Sequence, residues 1–323
     1  MNVKPFLYGI ASFFPGFERF RPKRTGGTDS ARYCYSVWMR HRVTAWENGF
    51  KIHPRVVAEL GPGNSLGVGL AALISGADRY FAFDVVASAK VGNDLRIFDE
   101  LVSLFEKKNE IPGTDEFPLV KPQLGSYSFP EHIFPAEYLK KAMTEARLER
   151  IRRTIGSRSK KSSIIGYRVP CHEASLIDAE SVDLILFQAA LEHVDDLKLA
   201  YRAMRRWLRP DGWISHQIDF RSHGMTEAWN GHWACSDMTW KLIRGNRPFL
   251  LNREPHSTHL KIMAEEGFTV VCDRTFRTES RLTRRRLAKR FWDIPEDDLT
   301  VSGAFIQAVK RKDPPATDKR EDR

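Results

Sequence analysis

The middle of the chain alternates short apolar runs with stretches of helical period. Strand-like runs fall at Val56–Leu60, Tyr80–Val86, Ser163–Val169, Val182–Gln188 and Gly212–Phe220. Their near-continuous apolar character is what strands covered on both faces require. Between them, Val68–Ile74 and the set Leu197, Tyr201, Met204 and Leu208 repeat at helical spacing. Strand and helix in alternation predict an α/β fold, a parallel sheet with helices on both faces. Further on, His259–Gly267 reads as a helix, and Phe268–Cys272 with Val301–Val309 as a closing pair of strands.

Two stretches interrupt this rhythm. Residues 87–161 form a long insertion after the second strand. It carries an amphipathic helix with Phe98, Leu101, Val102 and Phe105, then a second helical candidate over Ala136–Ile155 with Arg147, Arg150, Arg152 and Arg153. Residues 221–256 follow the fifth strand and are crowded with Trp, His and Asn. The expected organisation is an arm or cap over 1–50, an α/β domain over 51–275 holding both insertions, and a C-terminal region over 276–323. That last region reads as a basic helix, a final strand and a frayed polar tail.

Composition narrows the class. With 42% hydrophobic and 28% charged residues, the chain has enough apolar surface for a folded core. Its four cysteines, Cys34, Cys171, Cys235 and Cys272, include no Cys-x-x-Cys pair. That excludes a disulfide scaffold, argues against a structural zinc site, and points to a reducing, cytoplasmic setting. No run reaches the roughly 20 apolar residues of a membrane span. The apolar start, broken by Pro15-Gly16, fits an arm that packs on the domain or touches a membrane peripherally through residues 1–20. Net charge is +10. From Arg274 to Arg290 eight cations face one acid, Glu279; such a run is either a solvated face or a surface for phosphate backbones and anionic lipids.

Candidate chemistry centres on Glu59-Leu60-Gly61-Pro62-Gly63-Asn64-Ser65-Leu66-Gly67. A strand ending in an acid, then a glycine turn, then a helix, aims backbone N–H groups at a ligand, and glycines let the chain approach it closely. No Gly-Lys-Ser/Thr follows, so this is not a P-loop, and the spacing is not a clean G-x-G-x-x-G. Asp84, about twenty residues on, can accept hydrogen bonds from both ribose hydroxyls of a nucleoside-containing cofactor.

These residues, together with Ser181–Asp196 (SVDLILFQAALEHVDD) and Met204–Trp213 (MRRWLRPDGW), resemble the class I S-adenosylmethionine-dependent methyltransferases. The resemblance covers about 55–275 and the strand near 301–310, and implies a Rossmann-like sheet that binds S-adenosyl-L-methionine. It implies that Glu59, Gly61, Pro62 and Gly63 surround the methionine part of the cofactor and that Asp84 holds its ribose. By the same resemblance Glu173 and Ala174 flank the adenine, and Gln188 lies near the reacting methyl. Where amino methyltransferases of nucleic acids often carry Asn/Asp-Pro-Pro-aromatic, this chain has Gln188-Ala189-Ala190. The Pro170-Cys171 pair follows the third strand, not the fourth, so base methylation is disfavoured. Ser215–Gly224 (SHQIDFRSHG) resembles a bacterial methyltransferase-like subset associated with surface-glycan or small-molecule chemistry.

Methyl transfer from a sulfonium is an in-line displacement, for which an enzyme positions the acceptor and removes its proton. The carboxyl end of the fifth strand places Asp219, Arg221 and His223 there, with His223 and Asp219 the expected base and orienter, and His193 and His216 behind them. Tyr33, Trp38 and His41 of the arm could line the site or pack, and Trp229, Trp233 and Trp240 could form a platform or a lid. The expected reaction is O- or N-methylation of a small-molecule or glycan-type acceptor. The alternatives are RNA or protein methylation through the basic C-terminal face, or a non-catalytic scaffold of this fold near a membrane.

Overall fold

The computed structural model describes residues 3–14, 27–85, 87–157, 164–169, 177–247 and 249–311. Five strands run parallel: β1 (Val56–Leu60), β2 (Arg79–Phe83), β3 (Ile165–Arg168), β4 (Val182–Gln188) and β5 (Leu208–Asp219). Two more close the sheet antiparallel, β6 (Phe268–Arg277) and β7 (Val301–Lys310), in the order β3-β2-β1-β4-β5-β7-β6. The expected α/β sheet is therefore present, Rossmann-like and with one reversed strand.

Alternation of side chains divides the core in two. Val57, Tyr80, Ala82, Leu184, Leu186 and Trp213 face one layer; Ala58, Phe81, Phe83, Ile185, Phe187 and Ile214 face the other. Helices α2 (Ala31–Glu47), α3 (Gly67–Ile74), α4 (Val91–Glu106), α5 (Ala136–Ala142) and α6 (Glu145–Ser157) cover the first layer, while α7 (Leu197–Trp207) and α9 (His256–Glu265) cover the second. Buried Asp183 opens β4 by accepting from the backbone N–H of Arg55 and of Val56, each at 2.7 Å, and so pins the start of β1 beside β4. Among the described residues two further α-helices, α1 (Val3–Ala11) and α8 (Asp237–Arg244), pack against one another.

Several expectations change. The candidate helix over 136–155 is two helices, broken at Met143 and Thr144. Strand β2 stops at Phe83, so Asp84 stands just past its end. The C-terminal basic run is not a helix: Arg284–Arg286 and Lys289–Phe291 are short 3-10 turns, anchored by buried Leu287 and Phe291. Within 1–50, α2 is core, buried along Ala31 and from Cys34 to Ala45. Its Arg40 guanidinium, fully buried, donates to Ser36 Oγ (3.1 Å) and to the carbonyls of Val120 (2.6 Å), Pro122 (3.0 Å) and Pro112 (3.0 Å), tying the helix to the first insertion.

Candidate active site

The strand order reverses between β1 and β4, and in an open α/β sheet the crevice beyond that point takes the ligand. Two turns line it. After β1, Gly61 (φ +74°) and Gly63 (φ +75°) take left-handed backbone, which glycine adopts freely. After β4, Ala189 is left-handed as well (φ +51°), a costly state for a residue with a Cβ. A Cβ built on Gly61 would stand 2.8 Å from Ala190 Cβ, so a side chain there would narrow the crevice. The glycine turn is braced from outside: Thr28 Oγ donates to Pro62 O (2.9 Å) and accepts from Ser65 N (3.0 Å), and Asp94 of α4 accepts from Leu66 N (2.9 Å).

Glu59, at the end of β1, is buried and accepts from Tyr80 Oη at 2.5 Å. Burial pushes its carboxyl up to about 7, with the bond from Tyr80 and the backbone N–H of Gly69 opposing. Asp84 is half-buried, and its Oδ1 accepts from Val85 N at 2.7 Å. A left-handed glycine turn, a buried acid near the end of β1 and an acid past β2 are groups suited to a nucleoside cofactor such as S-adenosylmethionine. Glu173 and Ala174, expected at the adenine, lie outside the described residues, as does Pro170-Cys171.

Past the ends of β4 and β5, polar side chains form a directed chain. Gln188 Nε2 donates to Gln217 Oε1 (2.5 Å), and Gln217 Nε2 donates to Leu119 O (3.1 Å). Gln188 Oε1 accepts from His41 Nε2 (3.0 Å), and His41 Nδ1 meets Ser215 Oγ at 2.7 Å. Burial holds the His41 ring neutral, its value lowered to about 4. With Nε2 the donor, Nδ1 is the acceptor, and Ser215 Oγ donates to it while accepting from Gln307 Nε2 (2.9 Å). Thus α2, β4, β5 and β7 together fix the rotamer of Gln188.

Two residues beyond Gln217, and on the same strand face, stands Asp219. Arg221 grips it with Nε (2.8 Å to Oδ1) and Nη2 (2.6 Å to Oδ2), and His223 Nε2 lies 3.2 Å from Oδ2. Burial would raise the Asp219 carboxyl, but the bonds from His223 and Arg221 outweigh it and hold the group well below the usual carboxylate range. His223 itself is left-handed (φ +48°) and about one-third exposed. His193 packs edge-on to it, ring centroids 5.5 Å apart, and burial lowers its value. Adjacent Glu192 is 3% exposed, and burial pushes its carboxyl well up. One carboxyl held charged and a neighbour held neutral is a pattern found at sites of proton transfer.

The structure thus gathers Gln188 and Gln217 at the ends of β4 and β5, and Asp219, His223 and His193 just beyond them, while Glu59, Gly61, Pro62, Gly63 and Asp84 border the β1 side of the crevice. His216 does not join them. It points to the opposite face of β5, fully buried between Phe187 (ring centroids 4.6 Å) and Tyr201 (6.0 Å), because its neighbours Ser215 and Gln217 take the site face. The tryptophans pack: Trp233 is buried with Nε1 donating to Arg253 O (2.9 Å), and Trp240 is buried in a small cluster with Ile243 and Leu251. Reasoning from sequence missed Thr28, Tyr80, Asp94, Glu192 and Gln217. Among the described residues, no group of three His, Cys, Asp or Glu side chains is placed to hold a metal ion.

Residues 136–215, which span α5 to β5, match the family model of a methyltransferase domain. The fold is similar to an S-adenosylmethionine-dependent methyltransferase from Mesorhizobium loti, at 15% identity over 88% of this chain and 100% of that one, TM-score 0.43. It is also similar to a SAM-dependent methyltransferase from Methanosarcina mazei, at 12% identity over 81% of this chain and 95% of that one, TM-score 0.41. No curated protein matches the chain. The sheet order, with its reversed last strand, is that of a Rossmann-like α/β fold, and the matched segment lies within it.

Proposed function

We propose that the chain is an S-adenosylmethionine-dependent methyltransferase that modifies a hydroxyl or amine of a small-molecule or glycan-type acceptor seated over Gln188, Asp219 and His223. The observation that carries the reading is the 3.2 Å contact of His223 Nε2 with Asp219. It makes Nε2 the proton-bearing nitrogen and leaves Nδ1 as the lone pair that takes the acceptor's proton. S-adenosylmethionine, when bound, supplies a methyl group on a sulfonium. The protein orients the acceptor, and Asp219 stabilises the imidazolium that develops on His223. Gln188, held by His41 and Gln217, presents a fixed amide beside the acceptor.

A macromolecular acceptor has less support. Of the eight cations from Arg274 to Arg290, four are paired: Arg277 with Asp297 (2.6 Å), Arg284 with Glu296 (2.7 Å), Arg274 with Glu47 (3.6 Å) and Arg290 with Glu254. Cations already answered by neighbouring acids release less salt on meeting a phosphate backbone. Free thiols at Cys34, Cys235 and Cys272 support a reducing, cytoplasmic setting.

Labelled methyl transfer onto separated glycan, small-metabolite, RNA and protein fractions tests the reading. Label is expected in the first two, reduced about 100-fold or more in Asp219→Asn. Label in RNA or protein alone, or an Asp219→Asn variant of full rate, overturns it.

A further inference from the structure

Helix α1 is apolar on the side turned away from the protein. One face is seated: a Cβ at Gly9 would stand 1.9 Å from Leu242 O, Asn246 N donates to Ser12 Oγ (2.8 Å), and Phe6 joins the cluster of Trp240, Ile243 and Leu251. The opposite side presents Leu7 (58% exposed) and Ile10 (37%), three residues apart on the helix, and Phe14 (68%) in the turn that follows it. Phe13 lies beside them, and α8 adds Met238 (77%) and Leu242 (37%). Elsewhere among the described residues, exposed large apolar side chains such as Ile52, Val85, Leu119 and Leu199 are scattered in sequence and belong to different elements. Exposed apolar side chains gathered on two helices packed against one another mark a contact surface.

Charge selects the occupant. Residues 3–14 contain no acid, Lys4 and Lys241 are exposed at the patch, and the first 24 residues of the sequence hold five cations against the one acid Glu18. A second copy of the chain would bring like charge onto like charge, whereas an anionic surface is attracted. Nine residues of helix span only about 14 Å, and no helix among the described residues is long and apolar enough to cross a bilayer. A short helix with one apolar face and flanking lysines suits the plane of a membrane interface.

We propose that α1, seated on α8, docks the protein on an anionic lipid bilayer. The docking face is joined to the candidate active site: α8 leads to Asn252, whose backbone N–H donates to Glu192 O (2.8 Å) and whose side chain donates to the carbonyls of Leu191 and Val194 (2.8 Å each). Docking therefore holds the segment around Glu192 and His193 close to the surface, whichever acceptor is methylated.

The full chain is sedimented with phosphatidylcholine vesicles with and without phosphatidylglycerol, beside the double variant Leu7→Ser, Phe14→Ser and the control Leu199→Ser. Wild type and control are expected to pellet with the anionic vesicles, the double variant about tenfold less. Cofactor binding and thermal melting of the variant should match wild type, because both side chains face outward. Absence of vesicle binding, or equal binding by the double variant, overturns the proposal. So does light scattering that finds a dimer which the double variant converts to monomer, since the face is then a contact between copies.

Discussion

Cofactor binding should be coupled to loss of a proton from Glu59. In the folded chain this carboxyl titrates near 7 against an ordinary value of 4.5, and burial is the dominant cause. The difference of about 2.5 pH units corresponds to about 3 kcal/mol held against the charged form. The folded chain keeps a proton that the unfolded chain releases, so between about pH 4.5 and 7 stability falls as pH rises, and above 7 the full cost is present. With S-adenosylmethionine seated as proposed, its cationic sulfonium and ammonium would stand beside this acid, and an opposite charge favours the carboxylate. Below about pH 7 binding must expel the proton, so affinity should weaken about tenfold per pH unit, and above 8 it should level off. Titration calorimetry in buffers of different ionisation enthalpy reads that proton directly, with up to one released at pH 6. In Glu59→Gln the slope disappears and the affinity above pH 8 drops, while Tyr80 Oη still finds an amide oxygen to donate to. A pH-independent affinity in wild type, or the same slope in Glu59→Gln, refutes the reasoning.

Two further substitutions probe the link between α2 and the site. Arg40→Met leaves the carbonyls of Pro112, Val120 and Pro122 without their guanidinium donor, and should cost about 3 kcal/mol or more in urea unfolding; a loss under about 1 kcal/mol would mean that the first insertion is held by other contacts. His41→Phe removes the donor that fixes Gln188 Oε1, and should lower kcat about tenfold with KM for the cofactor unchanged. A change in KM alone would mean that His41 shapes the pocket without orienting the amide.

The sheet was legible because every strand from β1 to β5 announces itself within its own residues as a short apolar run, and β1 adds the glycine turn and the helix that follow it. The ends of strands were less so. Asp219 and Gln217 could be assigned to one face from alternation alone, and His216 to the other, yet His216 was still counted among candidate bases because a histidine near a site reads as chemistry until its surroundings are known. Its surroundings are Phe187 and Tyr201, which lie 29 and 15 residues away in sequence. The basic run after Arg274 failed for a related reason. A helix and a string of 3-10 turns share a composition, and what decides between them here is burial of Leu287 and Phe291 against distant elements and the pairing of Arg284 with Glu296.

Helix α2 sets the clearest limit on reading a sequence one segment at a time. Arg40, His41 and Arg42 follow one another, so helical geometry spreads them around α2, and all three are fully buried. Arg40 donates to carbonyls of an irregular loop, His41 meets side chains on β4 and β5, and Arg42 donates through its two terminal nitrogens to the carbonyls of Phe50 (3.1 Å) and Ile52 (2.7 Å), its Nε being left without a hydrogen-bond partner. Burying polar groups costs free energy that hydrogen bonds offset, and here the partners come from four separate parts of the chain. The same requirement makes α2 informative about function. A core helix that needed only to cover the sheet would be cheaper built from leucine. This one threads a neutral imidazole between Ser215 and Gln188, and so makes the orientation of an amide at the carboxyl end of β4 depend on residues 31–47, 215 and 307 at once.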